Sequence, residues 1–147
     1  MKNIARLMLC GVLVAGVTAG AQSPTAGEKV LLQPEVFPLD GMTMRKMPNG
    51  GESRDVVRGA LVTGEAVGVH ESVLPVGSVS NPQHVIQHSE FILVQEGTVE
   101  FEHGDKAEKV GAGGVIYVAL GTMHTLKNVG DVPAKYFVVA IGGDVKK

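Results

Sequence analysis

The chain has 147 residues, of which 13 are basic and 15 acidic, for a formal charge of −2; 44% of its residues are hydrophobic and one is cysteine. A nearly neutral, slightly acidic balance gives no electrostatic reason to bind nucleic acid or an anionic lipid surface. A lone cysteine supports neither an internal disulfide nor a thiolate metal site.

The first residues read as an export signal. Lys2 and Arg6 precede an apolar run from Leu7 to Ala19, and Ala19 and Ala21 supply the small-residue exit of a cleaved secretory segment. The run is shorter than the roughly 20 residues that span a bilayer. Cleavage is expected after Ala21, giving a mature chain of about 126 residues that starts at Gln22 and is exported to the periplasm or the extracellular space, with no membrane attachment afterwards. Lipid attachment at Cys10 is disfavoured, because Cys10 is inside the hydrophobic run behind Leu9. Cleavage takes Lys2 and Arg6 from the 13 basic residues, leaving 11 against 15 acidic ones and a charge of −4. It also removes the cysteine, so the mature chain has no thiol nucleophile and suits an oxidising compartment.

Residues 22–52 are expected to form an irregular arm, since Pro24, Pro34, Pro38 and Pro48 interrupt any regular strand. The barrel domain is expected over 53–147. After Asn49, Gly50 and Gly51 the chain turns to short β-branched runs separated by Gly, Pro, Asn and Asp. These predict strands at Val56–Thr63, Glu65–Leu74, His84–Gln87, Glu90–Glu96, Thr98–His103, Lys106–Val110, Val115–Val118, Met123–Asn128 and Lys135–Ile141, the spacing of an all-β sandwich or barrel. Gly97 and His103-Gly104-Asp105 mark hairpin turns. Several strands are apolar on both faces, Phe91 and Leu93 against Ile92 and Val94 for example, so the outer face needs a cover. The arm is one candidate, and a second copy in a homodimer is the other.

If one unbroken strand ran through them, His84, Ile86, His88 and Glu90 would share a face. Two imidazoles and a carboxylate aimed into a barrel are costly to bury unless something pairs with them, as a divalent cation does. His124 joins from a later strand after Gly121. His70 is either exposed or pocket-lining, and His103 is expected at a solvated turn. Met42, Met44 and Met47 are soft thioethers that more often fill gaps than bind copper. Gly111, Gly113 and Gly114 form no phosphate loop, because no helix or Gly-Lys-Ser/Thr pattern follows.

Two blocks carry a family resemblance. Gly77 to Gly97, GSVSNPQHVIQHSEFILVQEG, and Gly113 to Asn128, GGVIYVALGTMHTLKN, resemble the paired motifs of the cupin superfamily in composition and order. Six residues instead of five separate Gly77 from His84, Ala119 stands where the family has proline, and Ile86 stands where the second motif histidine is expected. The resemblance implies a single-domain jelly-roll barrel. It also implies His84, Glu90 and His124 as ligands of a divalent transition metal (Fe, Mn, Zn, Ni or Cu), with His88 as a substitute fourth ligand. Two histidines and one carboxylate match the facial set that holds non-haem iron with open positions.

Two functions stay open at this stage. One is a metal-dependent, oxygenase-like enzyme acting on a small molecule, with Tyr117 or His88 relaying a proton. The other is a non-catalytic barrel that binds a small ligand and has lost its metal through Ile86, leaving His84 and His124 as hydrogen-bonded interior histidines. Fold does not choose between them.

Overall fold

Short β-branched and aromatic runs cut by glycine favour extended backbone. The computed structural model describes residues 29–143 and Val145, and these form strands and turns with no helix among them. The expected export signal, residues 1–21, lies outside the described residues, as does the start of the arm to residue 28.

The described residues form ten strands: β1 (Arg45–Lys46), β2 (Glu52–Ala60), β3 (Ala66–Leu74), β4 (His84–Val85), β5 (Ser89–Glu96), β6 (Thr98–His103), β7 (Lys106–Gly111), β8 (Val115–Val118), β9 (Met123–Asn128) and β10 (Ala134–Ile141). They pair antiparallel in two sheets, one ordered β1-β2-β3-β10-β5-β8 and the other β4-β9-β6-β7. This is the expected all-β jelly-roll barrel. The arm is less irregular than its prolines suggest, because Arg45 and Lys46 pair with Ser53 and Glu52. That pairing starts β2 at Glu52 and not at Val56.

The core forms where the inner faces of the two sheets meet. Along β10, Ala134, Tyr136, Val138 and Ala140 are buried, while Lys135, Phe137, Val139 and Ile141 on the other face are only partly covered. From the same inner side of β5 come Ile92 and Val94, joined by Val99, Phe101, Ile116, Val118 and Leu126. Burying each such large side chain stabilises the fold by about 1.5–3 kcal/mol relative to leaving it in water.

Two glycines are fixed by geometry. Gly97 links β5 to β6 at φ +76°, and a Cβ there would lie 2.9 Å from the Ala134 Cα. Gly121 turns into β9 at φ +82° and donates its amide to the Ile86 carbonyl at 2.9 Å, tying the second sequence block to the first.

The condition for a shared face, one unbroken strand through His84, Ile86, His88 and Glu90, is not met, and the strand expected at His84–Gln87 ends at Val85. The chain leaves the smaller sheet after Val85 and enters the larger one at Ser89, so Ile86–His88 is a crossing between sheets. Ile86 is buried in the hydrophobic core. Gly143 packs on the crossing, with no room for a Cβ against the Gln87 carbonyl.

Among the described residues, the arm covers one part of the larger sheet and leaves another bare. Leu31 and Lys29 exchange backbone hydrogen bonds with Ala60 at 2.8 and 2.9 Å. Arg54 grips the buried carboxylate of Glu71 through Nε at 2.6 Å and donates from its guanidinium to the Leu39 carbonyl at 3.1 Å, fastening the arm across β2 and β3. Over β5 and β8, Phe91, Leu93, Val115 and Tyr117 stay 41%, 39%, 59% and 56% exposed. The described part of the arm, from residue 29, therefore does not provide the cover that the sequence demanded.

Asn128, at the end of β9, is fully buried and joins three loops. Its Nδ2 donates to the carbonyls of Leu74 and Val132, and its Oδ1 accepts from the Gly130 amide, each at 2.9 Å. Alanine there strands two acceptors and one donor in the interior. Asn128→Ala is expected to lower unfolding free energy by about 2–4 kcal/mol in urea denaturation. A loss below about 1 kcal/mol would show that the three loops do not depend on this side chain.

Candidate functional site

Strand pairing brings the two imidazoles together. His84 in β4 is the direct cross-strand partner of His124 in β9, and their ring centroids lie 4.7 Å apart. Each ring is fixed in the same way. His84 Nδ1 donates to the Pro82 carbonyl at 3.0 Å, and His124 Nδ1 donates to the Thr122 carbonyl at 3.2 Å. A carbonyl only accepts, so each Nδ1 carries a proton, and in the neutral ring this leaves the lone pair on Nε2, the tautomer required of a metal ligand or general base.

Glu90 approaches from the opposite sheet. Its Oε2 lies 3.9 Å from His124 Nε2, and its Oε1 accepts a 2.8 Å hydrogen bond from His88 Nε2. Two ligand atoms at roughly 2.1 Å from one ion can be no more than about 4.2 Å apart, so the His124–Glu90 separation is within reach of a shared cation. Among the described residues no three His, Cys, Asp or Glu side chains are grouped closely enough to hold an ion as they stand. The donor types and tautomers of His84, His124 and Glu90 fit a divalent ion, and closing the set requires side-chain movement.

His88 takes a different place from the one expected of a fourth ligand. It lines a groove on the far side of Glu90, with Asp55, Arg58 and His70, and holds the Glu90 carboxylate. Tyr117 is on the outer face against Phe91, with ring centroids 5.2 Å apart, so it cannot relay a proton into the barrel. His103 is not simply solvated: it is half-buried, stacks on Phe101 at 4.7 Å and bonds Glu108 at 2.7 Å.

The imidazoles and Glu90 border a cavity of about 130 Å³. That is small beside the roughly 300–1,000 Å³ that encloses drug-sized ligands. Its opposite wall holds residues that the sequence reading missed. Ser53 and Ser72 are cross-strand partners on β2 and β3, Ser72 is the partner of Tyr136 on β10, and all three line the cavity. Tyr136 hydrogen-bonds the side chains of Ser72 and Ser80, and burial pushes its phenol up to about 12, so it stays protonated at neutral pH. His70 lines both the cavity and the outer groove. The arm adds Met47 and Asn49 to the lining, and Asn49 donates to the Val79 and Ser80 carbonyls at 2.9 and 2.7 Å. Period-two patterning could have flagged Ser72 and Tyr136 as inward-facing, but only the strand register shows that they meet.

Residues 70–140 match the family of the Cupin domain. No curated protein matches the sequence. Among solved structures, a predicted oxalate decarboxylase from Thermotoga maritima superposes with a TM-score of 0.61 at 19% identity, covering 73% of this chain and 98% of that one. An RmlC-like cupin from Shewanella frigidimarina gives 0.61 at 13% identity, covering 77% and 96%. The polyketide cyclase RemF from Streptomyces resistomycificus gives 0.59 at 15%, covering 78% and 88%. These likenesses establish the fold.

Burial holds both His70 and His124 below the ordinary histidine value, against a smaller upward pull from Glu90. Both are therefore neutral in the fold at a pH where the unfolded chain, titrating near about 6.5, binds protons. Their contribution to stability is complete above that pH and is lost as the pH falls below it toward the folded-state values. An NMR titration of the ring protons in chelator-treated protein is expected to give midpoints below about 6.5 for both. Midpoints above that value would mean that the rings are charged in the folded protein.

Proposed function

We propose that this protein is a small cupin that holds a divalent transition metal with His84, His124 and Glu90 and takes a small molecule into the cavity beside them. The observation that carries this reading is the matched preparation of the two rings. Each has its Nδ1 committed to a backbone carbonyl two residues earlier, which leaves Nε2 as the ring nitrogen available to a metal, and both border one cavity with Glu90. Interior histidines that serve packing alone have no need of a common tautomer.

A bound divalent ion would act as a Lewis acid on an oxygen of the ligand. The chain's own groups orient the rest. His88 fixes one oxygen of Glu90 and so sets the direction in which the other faces. The Pro82 and Thr122 carbonyls fix the ring planes, and Asn49 ties the arm to the loop before β4 beside the cavity. A metal-free ligand-binding barrel is the second reading, favoured by Ile86, which packs in the core where the resemblance places another ligand. The fold neighbours bear the names of a decarboxylase and a cyclase on one architecture, so the reaction does not follow from the fold.

In this reading residues 1–21 direct export and are cleaved, and the mature protein works in the periplasm or outside the cell. Untagged protein recovered from that fraction is expected to start at Gln22 and to contain close to one equivalent of metal by plasma mass spectrometry. His84→Ala and His124→Ala should each lower metal affinity by at least about tenfold while the circular dichroism spectrum is retained. Folded wild-type protein that takes up no iron, manganese, zinc, nickel or copper would favour the metal-free reading.

The same proposal pairs two copies through the bare face of Phe91, Leu93, Val115 and Tyr117, an apolar patch flanked by Phe137 and Val139. Sedimentation is expected to give a dimer for the mature protein and a folded monomer for Leu93→Glu. A monomeric wild type at micromolar concentration would remove the homodimer from this account.

A further inference from the structure

On the side of the arm, the cavity wall is a single thickness of chain. Met47 and Asn49 line the cavity, while Lys46, Met47, Pro48 and Gly50 are all exposed, so no second layer lies over the turn that joins β1 to β2. None of residues 29–50 is buried, and none belongs to the hydrophobic core. Segments without buried apolar contacts open well below the free energy of global unfolding.

Both ends of this stretch are nonetheless secured. At its base, Arg54 donates to the carbonyls of Leu39 and Met42 at 3.1 and 3.4 Å, and its own guanidinium is held by the buried Glu71 carboxylate. At its far end the chain turns at Gly50, φ +81°, into Gly51, which is buried where a Cβ would lie 2.6 Å from the Val73 carbonyl oxygen. Residues 43–49 between these anchors are held more lightly. The strand β1 pairs through two residues, and the 2.7 Å ion pair of Arg45 with Asp55 is exposed on both partners, where such a pair contributes little. The turn bonds mainly to itself, Met47 donating to the Gly51 carbonyl at 2.8 Å and Gly50 to the Met47 carbonyl at 3.0 Å. Among the described residues, its side-chain hydrogen bonds to the rest of the barrel are the two from the Asn49 amide to the Val79 and Ser80 carbonyls.

From this pattern, fixed ends with a lightly held middle that forms one side of the cavity, we infer that residues 43–49 are a flap latched by Asn49, and that its release governs exchange between cavity and solvent. The inference rests on the proposed use of the cavity as the ligand site and names how its contents enter and leave. Opening breaks two neutral hydrogen bonds and a two-residue pairing, while β4 and β9, which carry His84 and His124, are not part of the moving segment. The latch is fastened to the cavity itself, because Ser80 also lines it and hydrogen-bonds Tyr136.

The mature full chain with Ser72→Cys carries one reporter thiol on the cavity wall, since its own cysteine falls in the expected export signal. Alkylation by iodoacetamide, followed by peptide mass, reads opening without any metal, and stopped-flow uptake of zinc by the chain without the reporter reads the same passage with one. Asn49→Ala is expected to speed both about tenfold, the order set by losing two neutral hydrogen bonds to water. Asn49→Asp keeps the size but sets a carboxylate against two carbonyls; it should move both rates the same way, and serves if the alanine protein fails to fold. Val99→Ala is the control. Val99 is fully buried and lines no part of the cavity, so its truncation lowers global stability without touching the latch, and alkylation should not change. Unchanged alkylation in a folded Asn49 variant, or an equal rise in Val99→Ala, would overturn the inference. Protein that takes up no zinc yet alkylates faster without the latch removes only the metal, and protein that binds zinc with both rates unmoved removes only the flap.

Discussion

The short pairing between β4 and β9 is the contact on which the site depends. Two residues of β4 face two of β9, and that register sets His84 against His124. Without it the rings would belong to unrelated loops, and the carbonyls of Pro82 and Thr122 would fix them in unrelated directions. β4 is held at more than its own two residues: an isolated bridge joins Val79 to Lys127, and Gly121 donates to the carbonyl of Ile86 immediately after the strand. A pairing this short survives because glycine turns and the core beneath it position both partners before they meet.

Much of the architecture was legible in the sequence because strand alternation and glycine punctuation are local signals. The extents of β6, β8 and β9 follow from them directly, as does the turn at Gly97. The first strand began too late because its start is set by the partner β1 inside a proline-rich arm, which no local pattern marks. The directions of Ile86 and His88 were left open for a related reason. Spacing alone cannot tell a continuous strand from a chain that changes sheets, and the difference decides whether Ile86 faces the site or the core.

The candidate site was half legible. The imidazoles and Glu90 were accessible because their types and spacing are unusual, whereas serines and a tyrosine on strands are common and attract notice only when register aligns them. His88 shows the limit from the other side. Its residue type suggested a ligand, but its position makes it the partner that holds Glu90. The arm likewise read as a mere covering, yet Asn49 lines the cavity and Arg54 ties the same segment to a buried carboxylate.

The two walls of the cavity belong to different sheets. His84 and His124 stand on the smaller sheet and the hydroxyls of Ser53, Ser72 and Tyr136 on the larger, which also carries Glu90 and His70. Divergence along such a seam can proceed on one bank while the other stands still, so descendants of this chain have a route to new chemical tastes that leaves the inherited histidine pair untouched.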